Sequence, residues 1–292
     1  MKNINRLTGW WHSRVLMGLA ACMFSAVVLA EPEEGGLDYA PQFSPKSAQP
    51  LKLTACRIDE AANSGFVMNS DQPTTAHCGG HDVSVTGISK LCKRGDEDAE
   101  TTHVVVSVKG AQQKAVQAVL RLADFPAEFI DAVKFADLNG DGKPDFIIDL
   151  GPHGNGLAAE IGGKLFLLSD AQGYRYLGLK DVMSGSRLVR WGAVPAVTLL
   201  LQRLATLPNG SNSVRSSDGK SHTFFVFDLL RFDAAAAKGV KISNALDTRF
   251  PFWTLFTDEP SHAETKLLAP ARKKTLWHDP LAHAASGRLI EH

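Results

Sequence analysis

The stretch from Asp137 to Ile148 reads DLNGDGKPDFII. Its first nine residues place oxygen-bearing side chains at alternating positions and end at Asp145, and its last three are apolar. The apolar run contains two isoleucines and ends at Gly151-Pro152, so it is too short and too β-branched for a helix. We therefore predict that the nine-residue loop joins two strands.

This loop has the ligand pattern that calcium prefers, since Ca²⁺ takes about six to eight hard oxygen ligands in a flexible cage. Side chains supply oxygens at the first, third, fifth and ninth positions, and the seventh contributes its backbone carbonyl. These positions are Asp137, Asn139, Asp141, Asp145 and Lys143. Gly142 at the sixth position permits the sharp turn that closes the loop. We predict that these five residues bind a structural Ca²⁺ ion.

The flanking sequence distinguishes between two kinds of calcium loop. An EF-hand carries a bidentate glutamate at the twelfth position, where this chain has Ile148. The stretch FADLNGDGKPD, residues 135–145, instead resembles the FG-GAP or VCBS-type calcium repeat of integrin α-subunits and many exported bacterial proteins. The resemblance covers residues 135–149, extends loosely to residue 177, and occurs once in the chain. It implies a calcium loop in a β-hairpin of a propeller blade.

The rest of the sequence predicts a mainly β fold of antiparallel hairpins with minor helix, including a blade-like sheet around residues 133–178; the alternative is an α+β fold. Residues 103–108 are a β-branched run, and residues 82–88 alternate so that Val83 and Val85 face inward. Residues 112–122 fit a helix and a strand equally well. Several aromatic residues are expected in the core. They are Phe224, Phe225, Phe227, Phe232, Phe250, Phe252 and Trp253.

The first 30 residues have the features of a secretory signal peptide. Basic residues precede an apolar run over residues 15–30, and acidic residues follow at once. This run of 16 residues is shorter than the roughly 20 that a membrane-spanning helix needs. We expect cleavage near Ala30, which gives a periplasmic or secreted protein without a transmembrane span. The alternative is a lipoprotein acylated at Cys22, because Leu-Ala-Ala-Cys resembles a lipobox.

Charge and length narrow the classes of function. Removing the leader takes away three of the 31 basic residues and none of the 31 acidic ones, which leaves a net charge of −3. Without a positive field, nucleic acid is not expected as a partner. We divide the chain into a signal peptide (1–30), a proline-rich tether (31–50), a cysteine-bearing β segment (51–110), a β-rich calcium-loop domain (111–260) and a polar C-terminal tail (261–292).

Three cysteines remain after the leader, namely Cys56, Cys78 and Cys92. An oxidising compartment favours one disulfide among them and leaves one thiol over. We favour Cys78–Cys92, because Gly79-Gly80 can begin a hairpin-like return, and Cys56–Cys92 is nearly as plausible. His77 and His81 flank Cys78, an arrangement that zinc or copper can use. The simpler interpretation is a disulfide cysteine beside surface histidines.

We find no catalytic motif in the sequence, and we assign no catalytic residues. The leading hypothesis is an exported calcium-binding protein of the cell envelope with a non-catalytic binding or structural role. Its partner is expected to be a protein or glycan of the envelope. The alternative is a calcium-assisted envelope hydrolase that uses His153, in the loop after the calcium hairpin, as a general base.

Overall fold

The computed structural model describes residues 48–59, 73–90, 100–111, 113–121, 130–151, 160–191, 197–207, 211, 213–232, 241–242, 250–256, 267–282 and 284–291. All of them lie in the compact unit that spans residues 36–292. The predicted signal peptide with Cys22, the tether up to residue 47, Cys92 and His153 lie outside the described residues.

The described part of the chain is mainly β with one short helix, as predicted, and its strands follow one another in groups. The N-terminal strands are β1 (Ala48–Pro50), β2 (Thr54–Ala55) and β3 (Arg57–Ile58). The next are β4 (Thr74–Cys78), β5 (His81–Lys90), β6 (Glu100–Gly110) and β7 (Val116–Arg121). They are followed by β8 (Ile130–Ala136), β9 (Asp145–Leu150), β10 (Ile161–Asp170) and β11 (Gly173–Met183).

The remaining elements complete the fold. The third group of strands comprises β12 (Arg187–Trp191), β13 (Val197–Leu204), β14 (Ser213–Arg215), β15 (Ser221–Arg231), β16 (Lys241–Ile242) and β17 (Phe252–Leu255). Helix α1 (Pro270–Leu276) precedes the C-terminal strands β18 (Ala285–Arg288) and β19 (Ile290–Glu291). Among the residues that the structure describes, no helix combines the length and apolar character needed to cross a bilayer.

These strands form three sheets in which every pairing is antiparallel. The first sheet has the order β19-β7-β6-β5-β4-β3, and the middle sheet has the order β18-β11-β10-β9-β8-β2. The third sheet has the path β1-β12-β13-β15-β14, with β16 and β17 also paired to β15. Strands β8 to β11 are therefore a four-stranded meander, with the predicted calcium loop in its first hairpin.

The middle sheet is buried on both faces. Phe146, Ile148 and Leu150 of β9 share one apolar cluster with valines of the first sheet. Ile147, between them in sequence, belongs to a second cluster with the third sheet. Successive side chains of a strand point to opposite faces, so a strand covered on both sides has a continuous apolar sequence. This explains why the Phe-Ile-Ile run is unbroken, whereas the outer β5 alternates as predicted, with Val83 and Val85 buried.

The third sheet has further apolar clusters of its own. Phe225 and Phe227 of β15 pack with Phe250, while Phe224 and Trp253 pack with residues of α1 and the segment before it. The predicted core assignment is therefore confirmed for six of the seven aromatic residues, whereas Phe252 is half-buried. The six are Phe224, Phe225, Phe227, Phe232, Phe250 and Trp253.

The N-terminal segment adds one strand to each sheet. Strand β1 pairs with β12 of the third sheet, β2 with β8 of the middle sheet and β3 with β4 of the first sheet. The last three residues of the predicted tether are thus part of a sheet. At the other terminus, the predicted polar tail contains α1, β18 and β19, and Leu289 is buried.

The predicted boundary between the cysteine-bearing segment and the calcium-loop domain, at residue 110, stays a prediction. In the structure, this residue ends β6, which pairs with β7 over residues 103–108 and 116–121. The strands on the two sides of residue 110 are therefore neighbours in one sheet.

The disulfide joins Cys56 to Cys78, so the preferred pairing Cys78–Cys92 and the alternative Cys56–Cys92 were both wrong. The Gly79-Gly80 turn forms as expected, but the strand after it carries the chain away. Strand β5 runs from His81 to Lys90, and ten residues of a strand span about 30 Å. By contrast, β3 pairs with β4, which brings the Cα atoms of Cys56 and Cys78 to 4.7 Å.

We predict that the double variant Cys56→Ala/Cys78→Ala unfolds at a lower denaturant concentration than the wild type. The bridge links residues separated by 22 positions, and closure of such a loop contributes about 3 kcal/mol in the chain-entropy model. Equilibrium unfolding in urea measures the change, and Cys92→Ala is the matched control. Equal destabilisation by the control variant, or a Cys78–Cys92 peptide in unreduced digests, would contradict the assignment.

Candidate cation site

The predicted calcium loop connects β8 to β9 in the middle sheet. Ala136 at the end of β8 pairs with Asp145 at the start of β9, and this pair closes the hairpin at the loop. Its flanks are strands, as the sequence indicated. Gly142 has a φ of +81°, and Gly140 has a φ of +84°. Residues other than glycine rarely adopt such backbone angles. The turn function assigned to Gly142 is therefore confirmed, and Gly140 has the same backbone requirement.

Side chains on the odd-numbered positions close the loop by accepting backbone hydrogen bonds. The Asp137 carboxylate accepts from Gly140 N at 2.7 Å and from Gly142 N at 3.0 Å. Asn139 Oδ1 accepts from Asp141 N at 2.9 Å, and Asp141 Oδ1 accepts from Lys143 N at 2.9 Å. Such contacts between an Asx side chain and the backbone two residues later hold a turn in a defined conformation. The oxygens of three predicted ligands thus face the loop's own backbone.

Asp145 has a different environment from the other loop carboxylates, because it is fully buried. Its Oδ2 accepts from Leu138 N at 2.7 Å and Asn139 N at 3.1 Å. Its Oδ1 accepts from Ser169 N at 2.6 Å and Ser169 Oγ at 2.7 Å. A carboxylate has about four lone-pair sites, so these contacts use all of them. Asp145 consequently fastens the loop to β10.

Two carboxylates meet at Ser169. Its Oγ lies 3.0 Å and 3.1 Å from the two oxygens of Asp141, in addition to its contact with Asp145. One hydroxyl proton is shared among these acceptors. Burial raises the pKa of Asp145 to about 6, although its four donors oppose the rise. Burial and the charges of Asp145 and Asp141 also raise the pKa of Tyr174 to about 12.

The loop also contacts the backbone at the end of β10. Asn139 Nδ2 donates to Ser169 O at 2.7 Å, and Lys143 Nζ donates to Asp170 O at 2.9 Å. The Asp170 carboxylate pairs with Arg288 of β18. Ser169 and Asp170 were not predicted as site residues, because their sequence indicated only a turn. No local pattern relates them to a loop about 30 residues earlier.

The loop meets part of what a calcium site requires. Among the described residues, no three His, Cys, Asp or Glu side chains converge as a ready-made metal cluster. The loop does supply hard oxygens of the kind that calcium takes, including an amide and a carbonyl that are not titratable. Asp137, Asn139 and Asp141 each keep lone pairs beyond those used by the backbone. Lys143 contributes a carbonyl.

The segment around Cys78 does not provide a zinc or copper site of the kind considered, because the Cys78 thiol is consumed by the disulfide. His77 instead lies between two carboxylates, with Asp82 Oδ1 at 2.7 Å from Nδ1 and Asp59 Oδ1 at 3.0 Å from Nε2. The His81 ring lies 5.6 Å from that of Phe146. The interpretation as a disulfide cysteine beside histidines therefore applies.

Comparison with known proteins gives no relative for this chain. No family model, no curated protein and no solved structure matches it.

We predict that Ser169→Ala destabilises the protein by about 1–3 kcal/mol, because it removes a donor from a carboxylate that stays buried. Asp141 and Asp145 also lose the hydroxyl between them. Chemical denaturation gives the free energy of unfolding. Ser213→Ala, on the exposed part of β14, is the control and should change it little. Equal free energies of unfolding for the two variants would contradict the bridging function of Ser169.

We also predict a pH-dependent contribution from His77. Its hydrogen bonds to Asp82 and Asp59 raise the pKa of His77 above 6.5, since both ring nitrogens donate only in the imidazolium form. Its contribution to stability is complete below pH 6.5 and is lost as the pH rises through the folded-state pKa.

NMR titration of the His77 ring measures this pKa directly. Asp82→Asn should lower the pKa of His77, since the hydrogen bond to the Asp82 carboxylate is the main cause of its rise. A wild-type value at or below 6.5, or a value that Asp82→Asn leaves unchanged, would contradict the prediction.

Proposed function

We propose that this is an exported calcium-binding protein with a non-catalytic role in the cell envelope, and that the loop between β8 and β9 holds the ion. The observation that carries the proposal is the closed loop itself. Asp137, Asn139 and Asp141 accept backbone N–H bonds within one turn, which holds three oxygen-bearing side chains within a short segment of the chain.

Electrostatics support a cation at this position. Asp141 and Asp145 both lie within 3.1 Å of the single hydroxyl of Ser169, so two acidic groups share one proton donor. A divalent cation beside Asp141 would offset this concentration of negative charge. We propose that Asp137, Asn139, Asp141 and the Lys143 carbonyl provide the principal ligands. Asp145, whose lone pairs are committed, orients the loop, and it binds the ion directly only if it releases a backbone donor.

A periplasmic or secreted location, as predicted, is compatible with a calcium site of modest affinity. Extracellular calcium modules bind with dissociation constants of about 10⁻⁴–10⁻³ M. A site of that strength is occupied where calcium is abundant and stabilises the folded state by mass action. The ion would then fasten the β8–β9 hairpin to the β10–β11 turn, a structural role. The FG-GAP or VCBS resemblance supports the same proposal, since the loop lies at the first hairpin of a four-stranded meander.

We propose a protein or glycan of the envelope as the partner. The rival proposal, a calcium-assisted hydrolase, depended on His153, which lies outside the described residues.

The test compares two aspartates that make the same local hydrogen bond. Asp218 Oδ1 accepts from Lys220 N at 3.0 Å, as Asp141 Oδ1 accepts from Lys143 N. We expect calcium to raise the melting temperature of the wild type and of Asp218→Asn. At a calcium concentration one hundred times the dissociation constant, the free energy of unfolding should rise by about 2.7 kcal/mol. Asp141→Asn should lose this response, and magnesium should substitute poorly because it requires a tighter octahedron.

Calorimetry with calcium and thermal melts with and without chelator provide the measurements. If calcium produces no heat at millimolar concentration and the melt ignores chelator, the loop is a metal-independent turn. If Asp141→Asn responds to calcium as the wild type does, the ligand assignment is wrong.

A further inference from the structure

Two side-chain links join the N-terminal segment to the edge of the first sheet, and both connect β3 to β4. Strand β3 is only two residues long and pairs with β4 alone. The Cys56–Cys78 disulfide is the first link. The second is the hydrogen bond between His77 and Asp59, the residue that follows β3, at 3.0 Å. So short a strand is weakly held by its backbone pairing, and we expect its attachment to depend on these two links.

The two links lie on opposite faces of the first sheet, although His77 and Cys78 are adjacent on β4. Cys78 is 1% exposed and belongs to the apolar cluster between the first and middle sheets. The His77 side chain is 36% exposed, as alternation along a strand requires. The disulfide therefore holds β3 from the interior, and His77 holds it from the solvent side. Separation of β3 from β4 would disrupt both links, so their free energies are coupled.

Titration of His77 changes the number of hydrogen bonds that its ring can donate. Nδ1 lies 2.7 Å from Asp82 Oδ1, and Nε2 lies 3.0 Å from Asp59 Oδ1. The imidazolium donates from both nitrogens, whereas the neutral ring has one donor, so one carboxylate then faces a lone pair. Asp82 lies in β5, which pairs with the whole of β4. Asp59 follows the short β3, and it is therefore the carboxylate that we expect to lose its bond.

The other charged groups that the structure describes beside His77 are cations. Arg57, opposite His77 on β3, lies 3.6 Å from the Asp59 carboxylate through its Nη1. Lys109 of β6 is paired in register with Asp82. Neither side chain can accept a hydrogen bond from the ring, because both are donors only. The hydrogen bonds to Asp82 and Asp59 are the main reasons why the pKa of His77 is raised.

We infer that His77 and the Cys56–Cys78 disulfide form one linked device, in which protonation of His77 makes the disulfide more resistant to reduction by dithiols. Reduction breaks the S–S bond and adds two electrons and two protons to give two thiols, while the dithiol is oxidised to its own disulfide. The two thiols no longer hold β3 against β4, so the reduced protein gains less from the bond between His77 and Asp59. Because coupling between two sites is reciprocal, protonation of His77 must then favour the disulfide.

The first test measures the pKa of His77 by NMR in the oxidised protein and in protein reduced with dithiothreitol. Both samples carry Cys92→Ala, so that no third thiol takes part in exchange. We expect the pKa of His77 to be lower in the reduced protein, because Asp59 is then held less firmly beside the ring. This test needs no change at His77 or at its two carboxylates.

The second test measures the equilibrium constant for reduction in mixtures of reduced and oxidised dithiothreitol, again with Cys92→Ala. At about pH 5, where His77 is protonated, Asp59→Asn should favour the reduced form by about two- to fivefold, as expected for an exposed ion pair. At about pH 9 this difference should be lost. Comparison of variant and parent at the same pH cancels the ionisation of the thiols themselves.

Asp218→Asn is the matched control, because Asp218 pairs with a different histidine, His222, at 2.8 Å. It should leave the equilibrium constant for reduction unchanged at both pH values. The inference rests on the disulfide and not on the cation loop. A failure of calcium to bind would therefore contradict the proposed function and change none of these results.

Three results would overturn the inference. Equal pKa values of His77 in the oxidised and reduced proteins would show that β3 stays in place without the disulfide. An effect of Asp59→Asn that is the same at both pH values would show that its contribution does not depend on protonation of His77. An equal effect of Asp218→Asn would show that the change is not specific to this pair of strands.

Discussion

Burial of both faces of the middle sheet is the constraint on which the rest of the structure depends. Phe146 and Ile148 pack against the first sheet while Ile147 packs against the third, so β9 has no solvated face. Each flanking sheet needs the middle sheet as the surface on which it buries its own apolar residues. Substitution of Phe146 or Ile148 is therefore expected to affect the cluster shared with the first sheet, and substitution of Ile147 the cluster shared with the third.

The same constraint determines the chemistry of the cation loop. Asp145 is the first residue of β9, and the strand carries its carboxylate into the protein interior. A buried carboxylate must be hydrogen-bonded, and its donors come from the loop backbone and from Ser169 of β10. The loop is therefore closed by the requirements of the fold. A bound ion would add to an arrangement that the protein already maintains, which agrees with the proposed structural role of calcium.

The chain termini complete the stack of sheets at its edges. Unpaired edge strands expose backbone donors and acceptors and invite association with other chains. Here β2 and β18 cover the two edges of the middle meander, and β3 and β19 cover those of the first. The Cys56–Cys78 bridge attaches the N-terminal segment covalently at this point. The predicted tail thus supplies β18 and β19, and the last residues of the predicted tether form β1, whereas β2 and β3 belong to the cysteine-bearing segment that was predicted to be β.

Local sequence determined the features that depend on local physical chemistry. Gly142 in the loop predicted a sharp closing turn, because glycine readily adopts the positive φ that the turn requires. The β-branched run after it predicted a strand, and alternation in β5 predicted which valines are buried. These features depend on residues within a few positions of one another.

Tertiary structure decided the features that depend on distant residues. Residues 112–122 fit a helix and a strand, and pairing of β7 with β6 selected the strand. Cys56 became the partner of Cys78 because β3 returns to β4, and Ser169 reached Asp145 across 24 positions. The Trp277 indole likewise reaches the buried Asp228 carboxylate across 49 positions. Periodicity and motif spacing describe a single element, whereas these contacts arise only when the sheets stack, so the sequence alone did not indicate them.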